Sequence, residues 1–258
     1  MAIILAITNR KGGTGKTTVS VNLAAELAAQ GRRVLLIDLD SQNHCAVGLG
    51  LASVRNAPTA HDIFRNVNGK LIPAIESTNY PNLSLAQADP LFEHGSGLRD
   101  ENLLSRAIVD EQIDGKFDVI IIDTPPSLDV LLLNALNAAN LVLVPYVPHP
   151  LSFEGIRQLM RVLFKVISGP NPKLKIAGLL PIMGLNRVRQ HQAVNNNVSG
   201  QYGSFRVMHG IRSDIKLAEA FAAGKPVRYS APKSRGAEDF RMLAHNIAIM
   251  IDNAVQLD

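Results

Sequence analysis

Residues 8–18, TNRKGGTGKTT, constrain this chain more than any other stretch, because an apolar run leads into them and a run of helix formers leads out. Gly12, Gly13 and Gly15 let the backbone curl into a concave nest of N–H donors, with Thr14 and Thr18 completing the loop. Lys16 brings a cation to that nest, and Thr17 a hydroxyl suited to a hard metal ion. Residues 3–8 read as a buried strand and residues 18–30 as a helix closed by Gly31, so the helix turns its positive end toward whatever the loop holds. A strand, glycine-rich loop and helix in this order predict a phosphate-binding loop, with Lys16 against β and γ oxygens.

Two further apolar runs end in carboxylates. Val34–Asp38 (VLLID) delivers Asp38 and Asp40, and Val119–Asp123 (VIIID) delivers Asp123 ahead of Thr124, Pro125 and Pro126. Ligands of open α/β sheets sit at the carboxyl ends of the strands, so Asp40 faces the phosphates. Asp123 follows the Walker B pattern and is placed to hold a water of the magnesium that Thr17 also binds. Strands at 83–86, 141–146 and 176–183 alternate with helices at 98–113, 128–139, 152–167, 214–222 and 236–256. The alternation predicts a doubly wound, mostly parallel sheet with helices on both faces, in a single α/β domain spanning 1–258. A short helix is expected at 59–67 with Thr59 as its cap, and a loop or weak helix at 195–204. His44, His61 and His94 lack ligand spacing and read as ordinary surface or loop histidines.

Lys11 stands before the first glycine, where a phosphate loop needs no cation. KGGTGKTT closely resembles the deviant Walker A loop of the ParA/MinD ATPases. DLDSQ at 38–42, DTPPSL at 123–128, IKLAEAFAAGKPV at 215–227 and PKSRGAEDF at 232–240 carry the resemblance over nearly the whole chain, although Ser41 replaces the usual proline. The resemblance implies a P-loop NTPase of the deviant Walker A class, a magnesium-dependent ATPase that dimerises on ATP and turns over slowly until a partner stimulates it. Lys11 then reaches across the dimer to the partner's nucleotide, and Asp40 helps to orient the attacking water. Residues near the adenine fall at Met183, Asn186, Arg212 and Asp214, the last two replacing the usual proline and asparagine.

Residues 1–149 hold 11 Lys and Arg against 15 Asp and Glu, whereas residues 150–258 hold 15 against 7. A basic C-terminal half suits a polyanionic partner. Arg157, Arg161 and Lys165 recur every fourth residue on one helix face, and Arg187, Arg189 and Arg206 flank the polar stretch that follows. The resemblance makes these a non-specific DNA surface for the ATP-bound dimer on the nucleoid. A ParB-like or cargo-specific adaptor would link it to a plasmid, a chromosome, or a protein assembly such as carboxysomes or chemotaxis clusters. No run approaches the roughly 20 apolar residues of a membrane span, and no Lys or Arg follows Arg241, so the basic amphipathic tail of MinD-type relatives is not expected. A lone Cys45 suits a reducing cytoplasm. A site-specific helix-turn-helix domain ahead of the first strand, and with it direct operator reading, is not expected. Two alternatives share the loop: a membrane-associated positioning ATPase of the MinD kind, and an ATP-dependent ligase or amidotransferase.

Overall fold

The computed structural model describes residues 1–52, 56–66, 68–93, 95, 97–184 and 188–255. Along the chain these form β1 (Ile3–Ile7), α1 (Lys16–Ala29), β2 (Val34–Asp38), α2 (His44–Leu49), α3 (Asp62–Arg65), β3 (Ile75–Ser77), β4 (Leu83–Ala86), α4 (Leu103–Asp110), α5 (Ile113–Lys116) and β5 (Val119–Asp123). There follow α6 (Val130–Ala138), β6 (Leu141–Tyr146), α7 (Pro150–Ile167), β7 (Lys175–Gly184), α8 (Arg189–Tyr202), β8 (Ile211–Arg212), α9 (Ile215–Ala222), α10 (Val227–Ser230) and α11 (Arg235–Val255).

Among the described residues the strands make one eight-stranded sheet in the order β3-β4-β2-β5-β1-β6-β7-β8. Every pairing is parallel except that of the edge strand β3 with β4. The sheet buries both faces, so its central strands are continuously apolar and alternate residues feed two separate cores. Ile4, Ala6, Leu35, Ile37, Ile120 and Ile122 point into one core with Leu131 and Leu136 of α6 and Leu159 and Leu163 of α7. Ile3, Leu5, Ile7, Val34, Leu36, Val119 and Ile121 point into the other with Leu23 and Leu27 of α1 and Phe240, Leu243 and Ile247 of α11. This is the doubly wound, mostly parallel architecture that the sequence predicts. Register then sets the site, for Ile7 and Asp38 both pair with Asp123, which puts the ends of β1, β2 and β5 at one level.

Several element boundaries differ from expectation. The helix expected over 98–113 is two pieces, α4 and α5, because Gln112 adopts the left-handed conformation (φ 54°) and turns the chain between them. Residues 195–202 of the stretch expected as a loop or weak helix over 195–204 lie in a 14-residue helix, α8, held to the core by buried Val194 and Val198, a pair spaced four apart. Of the helix expected at 59–67, only the turn Asp62–Arg65 forms among described residues, and Thr59 bonds the Asp62 carboxylate through both its backbone N–H and its hydroxyl. His61 is fully buried rather than a surface residue, while His94 lies outside the described residues.

The last helix is anchored to β8 by a buried ion pair. Asp239, 1% exposed, accepts from the Arg212 backbone N–H at 2.8 Å and from its guanidinium at 2.7 and 3.0 Å. Without this carboxylate the Arg212 backbone N–H loses its acceptor while the guanidinium keeps Glu238 and solvent, so Asp239→Ala should lower unfolding stability by about 1–2 kcal/mol. Urea titration checks this, with the midpoint falling and the slope unchanged.

Candidate functional site

The phosphate loop leaves β1 and enters α1 through two left-handed glycines, Gly13 (φ 69°) and Gly15 (φ 68°). A Cβ at Gly15 would also meet the Ile182 side chain, but it is the left-handed conformation that requires glycine there. Gly15 immediately precedes α1 and no side chain caps that helix, which leaves its first-turn N–H groups for a ligand. The loop is otherwise tied to the fold: Asn9 donates to the Pro145 carbonyl at 2.8 Å and accepts from the Lys11 N–H, and the Thr14 hydroxyl donates to the Lys11 carbonyl. Lys16 is buried, whereas Lys11 is exposed at the mouth of the loop beside Gly12. Burial pushes the Lys16 ammonium down, opposed by attraction to Asp123 and Asp40.

Beneath the loop lies the end of β5. Asp123 is fully buried and accepts from the Thr17 hydroxyl at 2.7 Å and the Ser20 hydroxyl at 2.8 Å, so one carboxylate gathers the first two turns of α1. Asp38, also fully buried, accepts from the backbone N–H groups of Asp40 and Cys45, both at 3.0 Å. The Cys45 thiol donates toward Asp123 at 3.5 Å, and ligand atoms of Asp38, Cys45 and Asp123 lie within 4.8 Å of one another. Burial raises both carboxyls, Asp38 strongly and with added repulsion from Asp123, while the hydroxyls of Thr17 and Ser20 hold Asp123 back. Burial and the same two carboxylates push the Cys45 thiol far up. Two carboxylates and a hydroxyl beside a buried ammonium form a hard-oxygen donor set, which fits magnesium and a polyphosphate. Asp40 is half-buried above them and accepts from the Gln42 N–H at 3.1 Å.

Alongside the loop a cleft of about 540 Å³ runs between Gly15, Thr18 and Val19 and the β8–α9 segment. Met183, Arg212 and Asp214 line it, which places three of the expected base-side residues together; Asn186 lies outside the described residues. Met183 is exposed and left-handed (φ 54°), a strained conformation for a non-glycine residue. The Arg212 guanidinium is bound to Asp239 and Glu238, and Asp214 caps α9 and accepts from the Gly236 N–H. Their charged groups serve the fold, and the walls offered to a ring are apolar: Ile182, Leu217, Phe221 and Phe240.

The basic positions fall on the other face. Arg157, Arg161 and Lys165 are exposed on α7, with Arg157 paired to Glu154 at 2.8 Å. Arg189 opens α8, Arg206 lies over the exposed Phe205 ring at 5.3 Å, and Arg187 lies outside the described residues. Sequence reasoning did not assign Asp38, Ser20 or Cys45 to the cluster, nor Val147 and His149 to the hollow that they share with Lys11 and Thr14. The doublet of aspartates ending β2 was the only signal for the first of these.

A family model for the AAA domain matches residues 2–176. The chain is 34% identical over 249 residues to the chromosome partitioning protein ParA of Caulobacter vibrioides, covering 95% of this chain and 93% of that one. It is 36% identical over 253 residues to the sporulation initiation inhibitor protein Soj of Bacillus subtilis, covering 96% and 99%. Among solved structures, cobyrinic acid a,c-diamide synthase from Mycobacterium smegmatis with bound ADP and magnesium superposes with a TM-score of 0.78 at 32% identity, covering 95% and 93%.

Burial and the neighbouring Asp123 disfavour the ionised form of Asp38, so its folded pKa is raised above the unfolded value of about 4. Such a group favours the fold below about pH 4 and opposes it as pH rises through the folded pKa. Asp38→Asn keeps an acceptor for the Asp40 and Cys45 N–H groups and removes the charge. Its melting temperature at pH 7.5 should therefore exceed that of the parent by about 2–4 °C, a gain that shrinks as pH is lowered toward 4. Calorimetry across that range checks it, and a gain that grows with acidification contradicts the assignment.

Proposed function

The chain belongs to the ParA/Soj family of partition ATPases, and from that premise we propose that it is a magnesium-dependent ATPase acting as an ATP-switched homodimer on non-specific DNA. Through a ParB-like or cargo-specific adaptor it would segregate a chromosome or plasmid, or position a protein assembly, at the nucleoid in the cytoplasm. The observation that carries this reading is the doubled cation of the loop: Lys16 is buried against Asp123 and Asp40, while Lys11 stands exposed at the rim. One site has a use for the first, and the second is free to serve a facing subunit.

In this mechanism the first-turn N–H groups of α1 and Lys16 hold the β and γ oxygens. Magnesium, when bound with the triphosphate, supplies charge neutralisation at the oxygens that bear the developing charge. Thr17, through the hydroxyl that here donates to Asp123, and Asp123 itself, through a water, would hold that ion. Lys11 enters the partner's site, and Asp40 orients the attacking water in line with the γ-phosphate. Hydrolysis removes the group to which both Lys11 residues bind, and the dimer loosens. Slow chemistry suits such a switch, because its output is a change of state.

Exposed Arg161 and Lys165 on α7, with Arg189 on α8, support the DNA surface, since a basic face neutralises phosphates without reading bases. Among the described residues no helix is long and apolar enough to cross a membrane, and the described part of the last helix carries no Lys or Arg after Arg241. Its resemblance to a diamide synthase structure favours one alternative, an ATP-dependent amidation of a small acid. Lys11 separates the two, because amidation within one subunit has no use for it.

Duplex DNA of arbitrary sequence should retain the protein with ATP and release it with ADP, and the affinity should fall steeply between about 50 and 200 mM salt. Charge reversal at Arg161 or Lys165 should weaken that retention without changing ATP affinity. Lys11→Ala should bind ATP and stay monomeric in light scattering, whereas Asp40→Ala should bind ATP, dimerise and hydrolyse slowly. A Lys11→Ala protein that still dimerises on ATP contradicts the switch and favours amidation.

A further inference from the structure

His61 is the most deeply engaged residue for which the nucleotide chemistry has no use. It lies just ahead of α3, fully buried, with its ring stacked on Phe92 at 4.2 Å between centroids and 10° between planes. The Asp89 backbone N–H, which can only donate, points at Nδ1 at 2.9 Å. Nδ1 is therefore the acceptor of a neutral ring, and the proton sits on Nε2. That Nε2–H faces the carbonyl of Leu39 at 3.3 Å.

Leu39 is the residue between Asp38 and Asp40. Its own N–H donates to the Asp123 carbonyl at 2.9 Å, and the next N–H, that of Asp40, donates to the Asp38 carboxylate at 3.0 Å. The peptide unit joining Leu39 to Asp40 is thus gripped on both sides, its carbonyl by His61 and its N–H by Asp38. The orientation of that plane sets the direction in which the Asp40 side chain leaves the strand end. Phe92 keeps the imidazole from swinging away, and the Ala60 N–H, bonded to the Gln87 carbonyl at 2.8 Å, fixes the backbone beside it to the end of β4.

We infer that His61 is a positioning residue for hydrolysis: by holding the Leu39 carbonyl it aims Asp40 at the attacking water. The role rests on Asp40 as the water-orienting carboxylate proposed above. Misplacing a catalytic group by about 1 Å can cost on the order of a hundred-fold in rate, while nucleotide contacts made by the loop and α1 are untouched.

Three variants test it in single-turnover hydrolysis with ATP affinity measured alongside. His61→Phe keeps the ring and its stacking but removes both nitrogens, and should slow hydrolysis about ten- to a hundred-fold with ATP affinity within about two-fold. His61→Gln, with an amide N–H at the reach of Nε2, should recover most of that loss. In an Asp40→Ala background His61→Phe should change the rate by less than about two-fold, because the two act as one unit. His61→Phe at the parent rate, or a loss of ATP affinity in step with rate, or the full effect persisting without Asp40, each overturns the inference. Asp40→Ala at the parent rate removes the assignment of Asp40 itself; a slow Asp40→Ala beside a normal His61→Phe removes only the role of His61. Nitrogen-15 NMR of the unaltered protein reads the ring directly, and a proton on Nδ1 in place of Nε2 overturns the inference whether or not the variants fold.

Discussion

The carboxylate of Asp123 is where the sheet, the first helix and the turn after β2 meet. It ends a central strand with no access to solvent, and two hydroxyls of α1 turn inward to bond it. A buried anion is tolerated only when charge and hydrogen bonds answer it. Here the hydroxyls supply the bonds and the Lys16 ammonium supplies part of the charge. Asp38 makes the balance worse rather than better, since it brings a second carboxylate to the same level of the sheet. The paired carboxylates therefore leave an electrostatic deficit that a divalent cation is suited to fill, at the end of adjacent central strands of the sheet.

That requirement explains why the charged residues around the neighbouring cleft are turned to other uses. Arg212 and Asp214 line it, yet one is locked to Asp239 and the other caps α9. What remains to face a planar ring is apolar side chain and the strained backbone at Met183. The segment expected on the base side lines this cleft beside the loop, and at its two substituted positions the charged groups are engaged within the fold.

Sequence legibility followed the physics of each element. Val34–Asp38, Leu83–Ala86, Val119–Asp123 and Leu141–Tyr146 form as read, because a strand buried on both faces must be an unbroken apolar run and something polar must end it. The phosphate loop was equally plain, since its glycines and lysine are contiguous. Ser20, Asp38 and Cys45 were not, because their convergence on Asp123 depends on strand register and helix phase rather than on spacing along the chain. His61 was the hardest case. Its partners are backbone groups 22 and 28 residues away and a ring at position 92, and none of these leaves a mark at position 61 itself. The break between α4 and α5 was hidden for a related reason, as a glutamine in the left-handed conformation has no compositional signature.

The loop is also tied to the face that bears the basic stripe. Arg10 donates to Gln158 on α7 at 3.1 Å, Gln158 donates to Glu154 at 3.1 Å, and Glu154 pairs with Arg157 at 2.8 Å. On the opposite side Lys16 is drawn toward Asp40, whose turn is held by Asp38 and by the Asn43 amide bonded to Gln87. The loop thus stands in polar contact, through Arg10, with the helix that carries Arg161 and Lys165, and through Lys16 in electrostatic contact with the turn that carries Asp40. The loop after β1 and the turn after β2 meet at the carboxyl end of the sheet, where the register of β1, β2 and β5 brings them together, whereas the 18-residue α7 starts at that end and runs away from it, so that Arg161 and Lys165 sit toward its far end.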